Sequence, residues 1–284
     1  MITIRTLETT TVSQIHQTFK EAFSDYEVKV DISLSDFIEM LVARDIQLIR
    51  SVGAFDDELL VGFILCGYRD GFWYDGGTGV IASHRNQKLA SKMLEYLFDI
   101  VDSEQGEFLL EVLEHNTVAK QLYERYGCVT TRVFDCYSIE TGVLASHEID
   151  SFEFDHTADS YGKLDINRYL SYEPSWQNAR KSILNNMANY QYVGLIKDKK
   201  TIAYGIMNTA KGDIAQLGFL KGFRKANLER ILICVLASYT KKPRLVMLNV
   251  QRGNRLGGLL QNMGWTVFVS QYEMKRMPQN VNAS

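Results

Sequence analysis

A short polar turn from Arg85 to Ala90 is the part of the sequence best suited to binding an anion. It follows a strand-like apolar run that ends at Val80 and Ile81, and it opens a long stretch with helical periodicity. The first N–H groups of a helix have no partners within the helix and lie at the positive end of its dipole, so a phosphate placed there gains hydrogen bonds and a favourable field. Arg85 would add a side-chain charge. The sequence therefore predicts a phosphate site formed by Arg85, Asn86, Gln87, Lys88, Leu89 and Ala90.

The elements around this turn form a regular alternation of strands and helices. Apolar residues from Leu89 to Val101 recur at helical spacing, and Phe108 to Leu113 is typical of a buried strand. Upstream, the pattern predicts a strand at Ile2 to Leu7, helices over Val12 to Phe23 and Ser33 to Ala43, and a hairpin from Ile46 to Phe55 and Leu59 to Tyr68. This order indicates a mixed α/β fold with an antiparallel front end followed by a βαβ unit.

A second group of residues lies one helix length beyond the turn. The run Leu110-Glu111-Val112 is followed by Asn116, Ala119, Leu122, Tyr123 and Gly127. Together with the turn, whose family pattern is Gln/Arg-x-x-Gly-x-Gly/Ala, this ordered pair of motifs resembles the GNAT superfamily of acyl-CoA-dependent N-acetyltransferases. The resemblance covers about residues 1 to 140. It implies acetyl-CoA as co-substrate and transfer of an acetyl group to a primary amine by direct attack in a ternary complex.

The resemblance also assigns roles to individual residues. The amides of residues 87–90 would bind the pyrophosphate, and the strand edge at Val80 and Ile81 would pair with the pantetheine arm and offer one N–H to the oxyanion. Asn116 would contact the cofactor or cap its helix. Tyr123 is the predicted general acid, because a phenol with a pKa near 10 keeps its proton at neutral pH; the alternative is a tyrosine that completes a buried helix face.

The general base is less sharply defined by the sequence. Glu111 occupies the family's Leu-Glu-Val position and ranks first, Asp75 at the start of the cofactor strand ranks second, and His84 ranks third. His115 is interpreted as a surface or capping residue. The glycines from Gly76 to Gly79 fit a strand that bulges or allows a ligand close to its backbone, or an ordinary edge bulge.

Lys88 departs from the family pattern, because the family usually has glycine at that position. Its side chain would either crowd the pyrophosphate or add a positive charge to the site, and the sequence leaves both alternatives open.

The C-terminal half repeats the element order in weaker form. A hairpin over Tyr192 to Asn208, the strand Ile214 to Leu220, a helix, the strand Leu245 to Val250 and a last strand to about Met274 parallel the N-terminal half. The turn Arg224 to Glu229 ends in a carboxylate that would oppose an anion, and Leu260 stands where Tyr123 does. The sequence predicts tandem GNAT-like domains, each a mixed central sheet flanked by helices: a catalytic one over residues 1–142 and a degenerate, non-catalytic one over 143–284. An unrelated α/β domain is the alternative.

Composition restricts the remaining choices. Residues 1–142 carry a formal charge of −11 and residues 143–284 carry +8, within a total of −3. The charges lack interleaved aromatics and a nucleic-acid-binding motif, which argues against nucleic acid. The four cysteines have no metal-ligand spacing, so we expect free thiols and no metal. We also expect a cytoplasmic protein without a membrane segment, since there is no long apolar run and no signal-peptide pattern. A homodimer is left open.

Three functions remain open at this point. The first is an N-acetyltransferase for a small-molecule or peptide amine, with protein lysines also open. Its acceptor site would involve Asp25, Tyr26 and Glu27 and the aromatic run Phe72 to Tyr74. The second is a non-catalytic acyl-CoA-binding regulatory or interaction protein. The third is a scaffold that binds an anionic partner through the basic C-terminal half.

Overall fold

The computed structural model describes residues 1–25, 32–144, 152–223 and 226–279. Within these ranges the chain forms two compact units. Unit 1 contains residues 1–131 together with the C-terminal segment that begins at Glu273, and unit 2 contains Arg132–Tyr272.

Unit 1 is a mixed sheet flanked by helices. Its strands lie in the order β1-β2-β3-β4-β5-β12-β6, of which β12 and β6 contribute only their parts within this unit. Strands β1 to β4 are antiparallel neighbours, whereas β4 and β5 are parallel. The elements are β1 (Ile2–Thr6), α1 (Val12–Ala22), α2 (Leu34–Ala43), β2 (Val52–Asp56), β3 (Leu59–Arg69), β4 (Phe72–Val80), α3 (Leu89–Ser103), β5 (Glu107–Leu113), α4 (Thr117–Arg125), β6 (Val129–Glu140) and β12 (Thr266–Arg276).

Local sequence explains the helices of unit 1. Thr11 caps α1 in a reciprocal arrangement with Gln14, Ser33 caps α2, and Asn116 caps α4 by accepting the Ala119 N–H at 3.1 Å. Helix α3 buries one apolar stripe, which matches the predicted periodicity. These residues are Leu89, Met93, Leu94, Leu97, Phe98 and Val101.

Strand β4 contains the irregularity that opens the sheet. Its register with β3 shifts between the pairs Leu65–Gly77 and Cys66–Asp75, which leaves Gly76 as the extra residue of a β-bulge. Its parallel pairing with β5 runs from Phe72 to Asp75, although both strands continue further. The remainder of β4 therefore offers an edge that a ligand's amides can pair with, as the glycine-rich sequence suggested.

Unit 2 repeats this plan. Its strand order is β12-β6-β11-β10-β9-β8-β7, with β12 and β6 again contributing only the parts that belong to the unit. The β9–β10 register shifts at Ala215, and β10 runs parallel to β11. The other elements are β7 (Glu153–Asp155), α5 (Ala158–Lys163), α6 (Arg180–Asn185), β8 (Tyr190–Lys197), β9 (Lys200–Asn208), β10 (Asp213–Phe219), α7 (Ala226–Ala237), β11 (Arg244–Gln251) and α8 (Arg255–Asn262).

The two units exchange their last strands. Strand β6 follows the other elements of unit 1 along the chain, but its residues 132–140 pack in unit 2 and pair with β11. Residues 273–276 of β12 belong to unit 1, where the Lys275 ammonium contacts Glu107 on β5. The compact units thus differ from a simple division after residue 142, since hydrogen bonding between strands groups residues that are far apart in the sequence.

Most predicted elements are confirmed within one or two residues, but the first strand of the predicted hairpin was too long. Strand β2 begins at Val52, and Ile46 forms only an isolated bridge with Gly67. Residues 47–51 turn instead, because the Ser51 N–H donates to the Gln47 carbonyl at 2.9 Å.

Candidate active site

A cleft of about 550 Å³ in unit 1 surrounds the predicted phosphate turn. Its walls come from the end of α1, the end of β4, the turn, the start of α3 and one side of α4. The lining residues include Ala22, Phe23, Asp25, Thr78, Gly79, Val80, His84, Arg85, Asn86, Lys88, Leu89, Ala90, Ser91, Asn116, Val118, Leu122 and Arg125. Seven of the twelve residues that the sequence proposed for catalysis or cofactor binding line this cleft. The other five are Asp75, Ile81, Gln87, Glu111 and Tyr123.

The turn presents the start of α3 to the cleft. Lys88 is the N-cap of α3 and has left-handed backbone angles, φ 59° and ψ 24°. Glycine adopts this conformation without steric cost, whereas other L-residues lose roughly 1–2 kcal/mol. An ammonium has no acceptor, so the Lys88 side chain cannot cap the helix amides as Ser or Asp would. The amides at the helix start are left for an anion, and the exposed Lys88 side chain adds positive charge at the cleft.

Arg85 forms hydrogen bonds with residues of two other walls of the cleft. Its guanidinium forms two hydrogen bonds with the Asp25 carboxylate, at 2.5 and 2.8 Å, and a third with the Ala22 carbonyl at 2.9 Å. Its Nε donates to the Val80 carbonyl at 3.1 Å. The hydrogen bond from Arg85 lowers the pKa of Asp25. A direct contact between Arg85 and a phosphate stays a prediction, while its contacts show how α1 and β4 are tied to the turn.

Two predicted cofactor residues, Ile81 and Gln87, are not part of the cleft lining, and a third, Asn116, has a second role as a helix cap. The Ile81 side chain is buried and its N–H donates to the Val61 carbonyl at 3.0 Å, so that N–H is engaged within the sheet. The Gln87 side chain is exposed in the turn. Asn116 lines the cleft and also caps α4, so both predicted roles are compatible with its position.

Asp75 and Tyr123 come together in a buried cluster next to the cleft. The Tyr123 hydroxyl donates to Asp75 Oδ2 at 2.9 Å, and the Thr78 hydroxyl donates to the same oxygen at 2.7 Å. The Gly77 N–H donates to Asp75 Oδ1 at 2.8 Å. Thr78 also lines the cleft, so it lies between the cleft and the Asp75–Tyr123 pair.

The protonation of this cluster is set mainly by burial. Burial raises the pKa of Asp75, although hydrogen bonds from Thr78, Tyr123 and Gly77 act in the opposite direction. Burial and the nearby Asp75 charge raise the pKa of Tyr123 well above 10. The phenol therefore stays protonated throughout the neutral range, and the carboxyl binds a proton more readily than an exposed aspartate does.

Glu111 occupies a second cluster, with Tyr74. The Tyr74 hydroxyl donates to Glu111 Oε2, and burial together with the Glu111 charge raises the pKa of Tyr74 well above 10. Arg44, at the end of α2, donates to the Gly76 carbonyl at 2.9 Å and so contacts the bulge. The two carboxylates that the sequence ranked as bases thus each accept a hydrogen bond from a different tyrosine.

The histidines and the predicted acceptor residues are more dispersed. His84 lines the cleft and lies 3.5 Å from Asp56, while His115 is exposed before α4. Tyr26 and Glu27 lie outside the described residues. In the aromatic run, Trp73 and Tyr74 are buried and Phe72 is 41% exposed.

The structure adds residues that the sequence reasoning missed. Arg125 brings a second exposed cation to the cleft from the last turn of α4, and Thr78 and Arg44 contact the buried groups. The helical spacing from Asn116 to Arg125 was a usable signal for Arg125. The positions of Thr78 and Arg44 depend on the bulge and on long-range packing, for which the sequence has no local signal.

In unit 2, side chains fill the position that corresponds to the cleft of unit 1. Its bulge at Ala215 aligns Ile214 with Asp75 and Leu217 with Thr78, so apolar residues stand at these two positions. Gln216 beside them is buried and accepts hydrogen bonds from two tyrosine hydroxyls, at 3.1 and 2.7 Å. Glu229 on α7 is buried and forms an ion pair with Arg255 on α8 at 3.1 Å, and the space beside them is about 20 Å³. Arg224 and Lys225, from the predicted second turn, lie outside the described residues.

Comparison with known proteins agrees with this arrangement. Residues 12–128 match the Acetyltransferase (GNAT) family. The N-terminal region belongs to that family. A tandem GNAT protein from the clavulanic acid biosynthesis pathway has 10% sequence identity and a TM-score of 0.75, with 98% of this chain and 99% of that chain covered. A GCN5-related N-acetyltransferase from Sphaerobacter thermophilus has 11% identity and a TM-score of 0.72, with 98% and 96% covered. The search of curated proteins gave no match.

These full-length likenesses show the tandem GNAT fold, including a second GNAT-like domain after the GNAT region. In the described ranges, no group of three His, Cys, Asp or Glu side chains could hold a metal ion. The same ranges contain no helix long and apolar enough to cross a membrane.

Proposed function

We propose that this chain is an acetyl-CoA-dependent N-acetyltransferase in which unit 1 performs the reaction on a primary amine. The observation that carries the proposal is the Tyr123 hydroxyl, fixed 2.9 Å from the buried Asp75 carboxyl and connected through Thr78 to the cleft at the start of α3.

The cleft suits the shape and charge of acetyl-CoA. Its pyrophosphate would lie at the start of α3, where helix amides and the helix dipole favour an anion. The exposed cations Lys88 and Arg125 would supplement that field. The amides of the pantetheine arm would pair with the part of β4 beyond Asp75, which leads toward the Asp75–Tyr123 pair.

The reaction needs a proton for the departing thiolate. The amine nitrogen attacks the thioester carbonyl carbon, the C–N bond forms, and the C–S bond of the tetrahedral intermediate breaks to release the thiolate. A thiol has an ordinary pKa of about 8.5. Because the pKa of Tyr123 lies well above 10, transfer from the phenol alone is unfavourable.

Asp75 resolves this difficulty in our proposal. Burial raises its pKa and so shifts the equilibrium toward the protonated carboxyl, which would donate to the Tyr123 oxygen while the Tyr123 proton moves to sulfur. The proton is then supplied by Asp75, and the phenol ends the step protonated. Asp75 thus acts with the acid, and Glu111, half-buried beside Tyr74, is our proposed base for the amine proton, which reaches it through water.

Unit 2 is proposed to be non-catalytic, since the Glu229–Arg255 pair and Leu217 occupy the place of the cleft. The acceptor class, a small-molecule or peptide amine, is left to experiment.

The proposal is tested by titrating acetyl-CoA calorimetrically into the wild-type chain and into Lys88→Glu, Arg125→Glu and Lys92→Glu. Lys92 is an exposed lysine of α3 that is absent from the cleft lining, so Lys92→Glu is the matched control. We expect wild-type and control affinities to agree, and each cleft variant to bind roughly tenfold more weakly, the equivalent of about 1.4 kcal/mol. Absence of binding to the wild type would contradict the proposal.

Turnover is then measured over a panel of primary amines with wild type and Tyr123→Phe. Removing the phenolic hydroxyl is expected to lower kcat by about 10²–10⁴-fold, as loss of a general acid does, with acetyl-CoA affinity retained. Binding without turnover of any amine would instead support the non-catalytic acyl-CoA-binding alternative.

A further inference from the structure

The C-terminal strand places a buried arginine next to the helices of the cleft in unit 1. Arg276, the last residue of β12, is 4% exposed. Its guanidinium forms two 2.7 Å hydrogen bonds with the Asp102 carboxylate in the last turn of α3. A fork-shaped pair of this kind fixes orientation as well as charge. The backbone N–H of Gln279 adds a third bond to Asp102 at 3.0 Å, so the segment from Arg276 to Gln279 is bound to α3 at two points.

The same arginine also contacts the end of α4. Arg276 Nε donates to the Tyr126 carbonyl at 2.9 Å, and Tyr126 is the C-cap of α4. The guanidinium lies 4.3 Å from the centre of the Phe98 ring on α3, and the Tyr126 ring lies 5.9 Å from that ring. The Tyr126 hydroxyl donates to Glu95 on α3 at 2.8 Å. Arg276 therefore joins the C-terminal ends of two helices that line the cleft, α3 through its start and α4 along one side.

Helix α4 connects the contacts of Arg276 to Tyr123 and the cleft. Tyr123 lies three residues before Tyr126, and its carbonyl accepts from both the Tyr126 and Cys128 amides, at 3.0 and 3.1 Å. Its hydroxyl must reach Asp75, and Leu122 and Arg125 on the same turn line the cleft. A displacement of about 1 Å at a catalytic group can reduce the rate about 100-fold.

We propose that Arg276 is a positioning residue for Tyr123: by joining the Tyr126 carbonyl to Asp102, it fixes the last turn of α4 and so the hydrogen bond between Tyr123 and Asp75. This inference rests on the proposed function for its effect on turnover, but its structural part does not. A residue near the C-terminus of the chain thereby sets the geometry of a site built from residues 75 to 125.

The test uses the full chain with Arg276→Gln, Arg276→Lys and the control Lys275→Gln. Lys275 precedes Arg276 on the same strand but pairs with Glu107 on β5 and has no role in the site. Tyrosines are labelled with ¹³C at Cζ, and the Tyr123 resonance is identified by its loss in Tyr123→Phe. All spectra are recorded at a temperature at which unfolding curves show each variant to be fully folded.

We expect Arg276→Gln to shift or broaden the Tyr123 resonance and Lys275→Gln to leave it unchanged. Arg276→Lys should give an intermediate result, because lysine keeps the charge but not the fork geometry. An unchanged Tyr123 resonance in folded Arg276→Gln overturns the inference, whether or not the chain proves to be a transferase.

Steady-state kinetics then show whether Arg276 positions Tyr123 or only stabilises the fold. With a transferable amine, we expect Arg276→Gln to lower kcat at least tenfold and to change the acetyl-CoA KM by a smaller factor, since the start of α3, where most of the phosphate contacts are proposed, lies at the other end of that helix and only Arg125 is on the last turn of α4. A lowered melting temperature with an unchanged kcat would reduce Arg276 to a structural residue and contradict the proposal. Failure of the wild type to turn over any amine would affect the proposed function alone, because the Tyr123 resonance still decides the role of Arg276.

Discussion

Asp75 is a buried carboxyl that accepts three hydrogen bonds, two from hydroxyls and one from a backbone amide. Bonds from Tyr123, Thr78 and Gly77 favour the carboxylate, yet burial is the larger effect and raises its pKa. The two hydroxyls can reverse their hydrogen bonds when the carboxyl is protonated, whereas the Gly77 amide cannot. The cluster can therefore take up an additional proton on Asp75 while Tyr123 keeps its own, which is what a relay to a thiolate requires.

Asp75→Asn tests this relay through the pH dependence of stability. In the wild type the folded-state pKa of Asp75 lies above the unfolded value of about 3.9, so the folded state binds more protons between those two values. Asp75 then contributes stability at low pH that is lost as pH rises through this window. We expect the unfolding free energy of wild type, relative to Asp75→Asn, to fall as pH rises above about 4 and then to level off.

The same variant should have a kcat at least about 100-fold lower, because an amide cannot supply the proton. Urea unfolding at a series of pH values and steady-state kinetics check both effects. Asp70→Asn, at an exposed turn position, is the control for the loss of one carboxylate. A stability difference that rises with pH would mean that the folded protein favours the charged carboxyl, and the relay would have to be abandoned.

The sequence predicted some of these residues and missed others for identifiable reasons. Tyr123 and Asp75 belong to recognisable segments, and the fold brings their side chains within 2.9 Å of each other. Arg85 was expected to bind a phosphate, but it contacts Asp25, which lies 60 residues away. A basic side chain in a turn is equally suited to a phosphate and to a carboxylate, and only the fold decides which one is within reach.

At the scale of elements, the start of α3 shows how one substitution in a motif is accommodated. The left-handed angles of Lys88 explain why glycine suits this position, and the exposed side chain shows that lysine fits without displacing the turn. The sequence left open whether this lysine crowds or supplements the phosphate site. The geometry favours a supplementary charge, since the strain lies in the backbone.

Lys88→Gly and Lys88→Ala separate the charge from the strain. Both remove the ammonium, but only glycine relieves the left-handed conformation, so we expect Lys88→Gly to be more stable than Lys88→Ala by about 1 kcal/mol. Both variants should bind acetyl-CoA a few-fold more weakly, with a smaller dependence on salt concentration than the wild type. Thermal unfolding and calorimetry at two salt concentrations measure these effects. Tighter binding by Lys88→Gly than by the wild type would show that the lysine crowds the cofactor.

Unit 2 retains several elements that correspond to the cleft of unit 1, although we propose that it is non-catalytic. It retains the bulge in the central strand and an Asn cap on the second helix, at Asn254, but Glu229 and Arg255 neutralise one another at the start of its α7–α8 pair. The sequence predicted the repeated order of elements and the misplaced glutamate. It did not predict the ion pair, because Arg255 follows its partner by 26 residues and belongs to a different helix.

For the whole molecule, the exchange of last strands is the feature that local sequence patterns could not reveal. Strands β6 and β12 have the length and apolar content of ordinary strands, and the same alternation would fit either sheet. Their partners are chosen by packing over more than 100 residues, as in the contact between Thr131 and Glu273 at 2.9 Å. A boundary drawn from composition follows the order of the chain, whereas the compact units follow the strands.

The exchange predicts which fragments fold. A polypeptide of residues 1–142 lacks the segment that supplies Lys275 and Arg276, and it leaves the half-buried Glu107 and Asp102 without their cationic partners. An uncompensated charge of this kind is strongly destabilising, and a sheet that lacks a strand exposes unpaired backbone groups. We therefore expect residues 1–142 to give no cooperative unfolding transition and no acetyl-CoA binding.

A second polypeptide provides the matched test. It joins residues 1–131 to residues 273–284 through a short glycine-containing loop, which the proximity of Thr131 and Glu273 allows. It restores the Arg276–Asp102 bonds without unit 2, and we expect it to unfold cooperatively in urea and to bind acetyl-CoA. Cooperative folding of residues 1–142 would contradict the exchange. If both polypeptides failed to fold while the full chain bound acetyl-CoA, unit 1 would depend on unit 2 for more than the order of its strands.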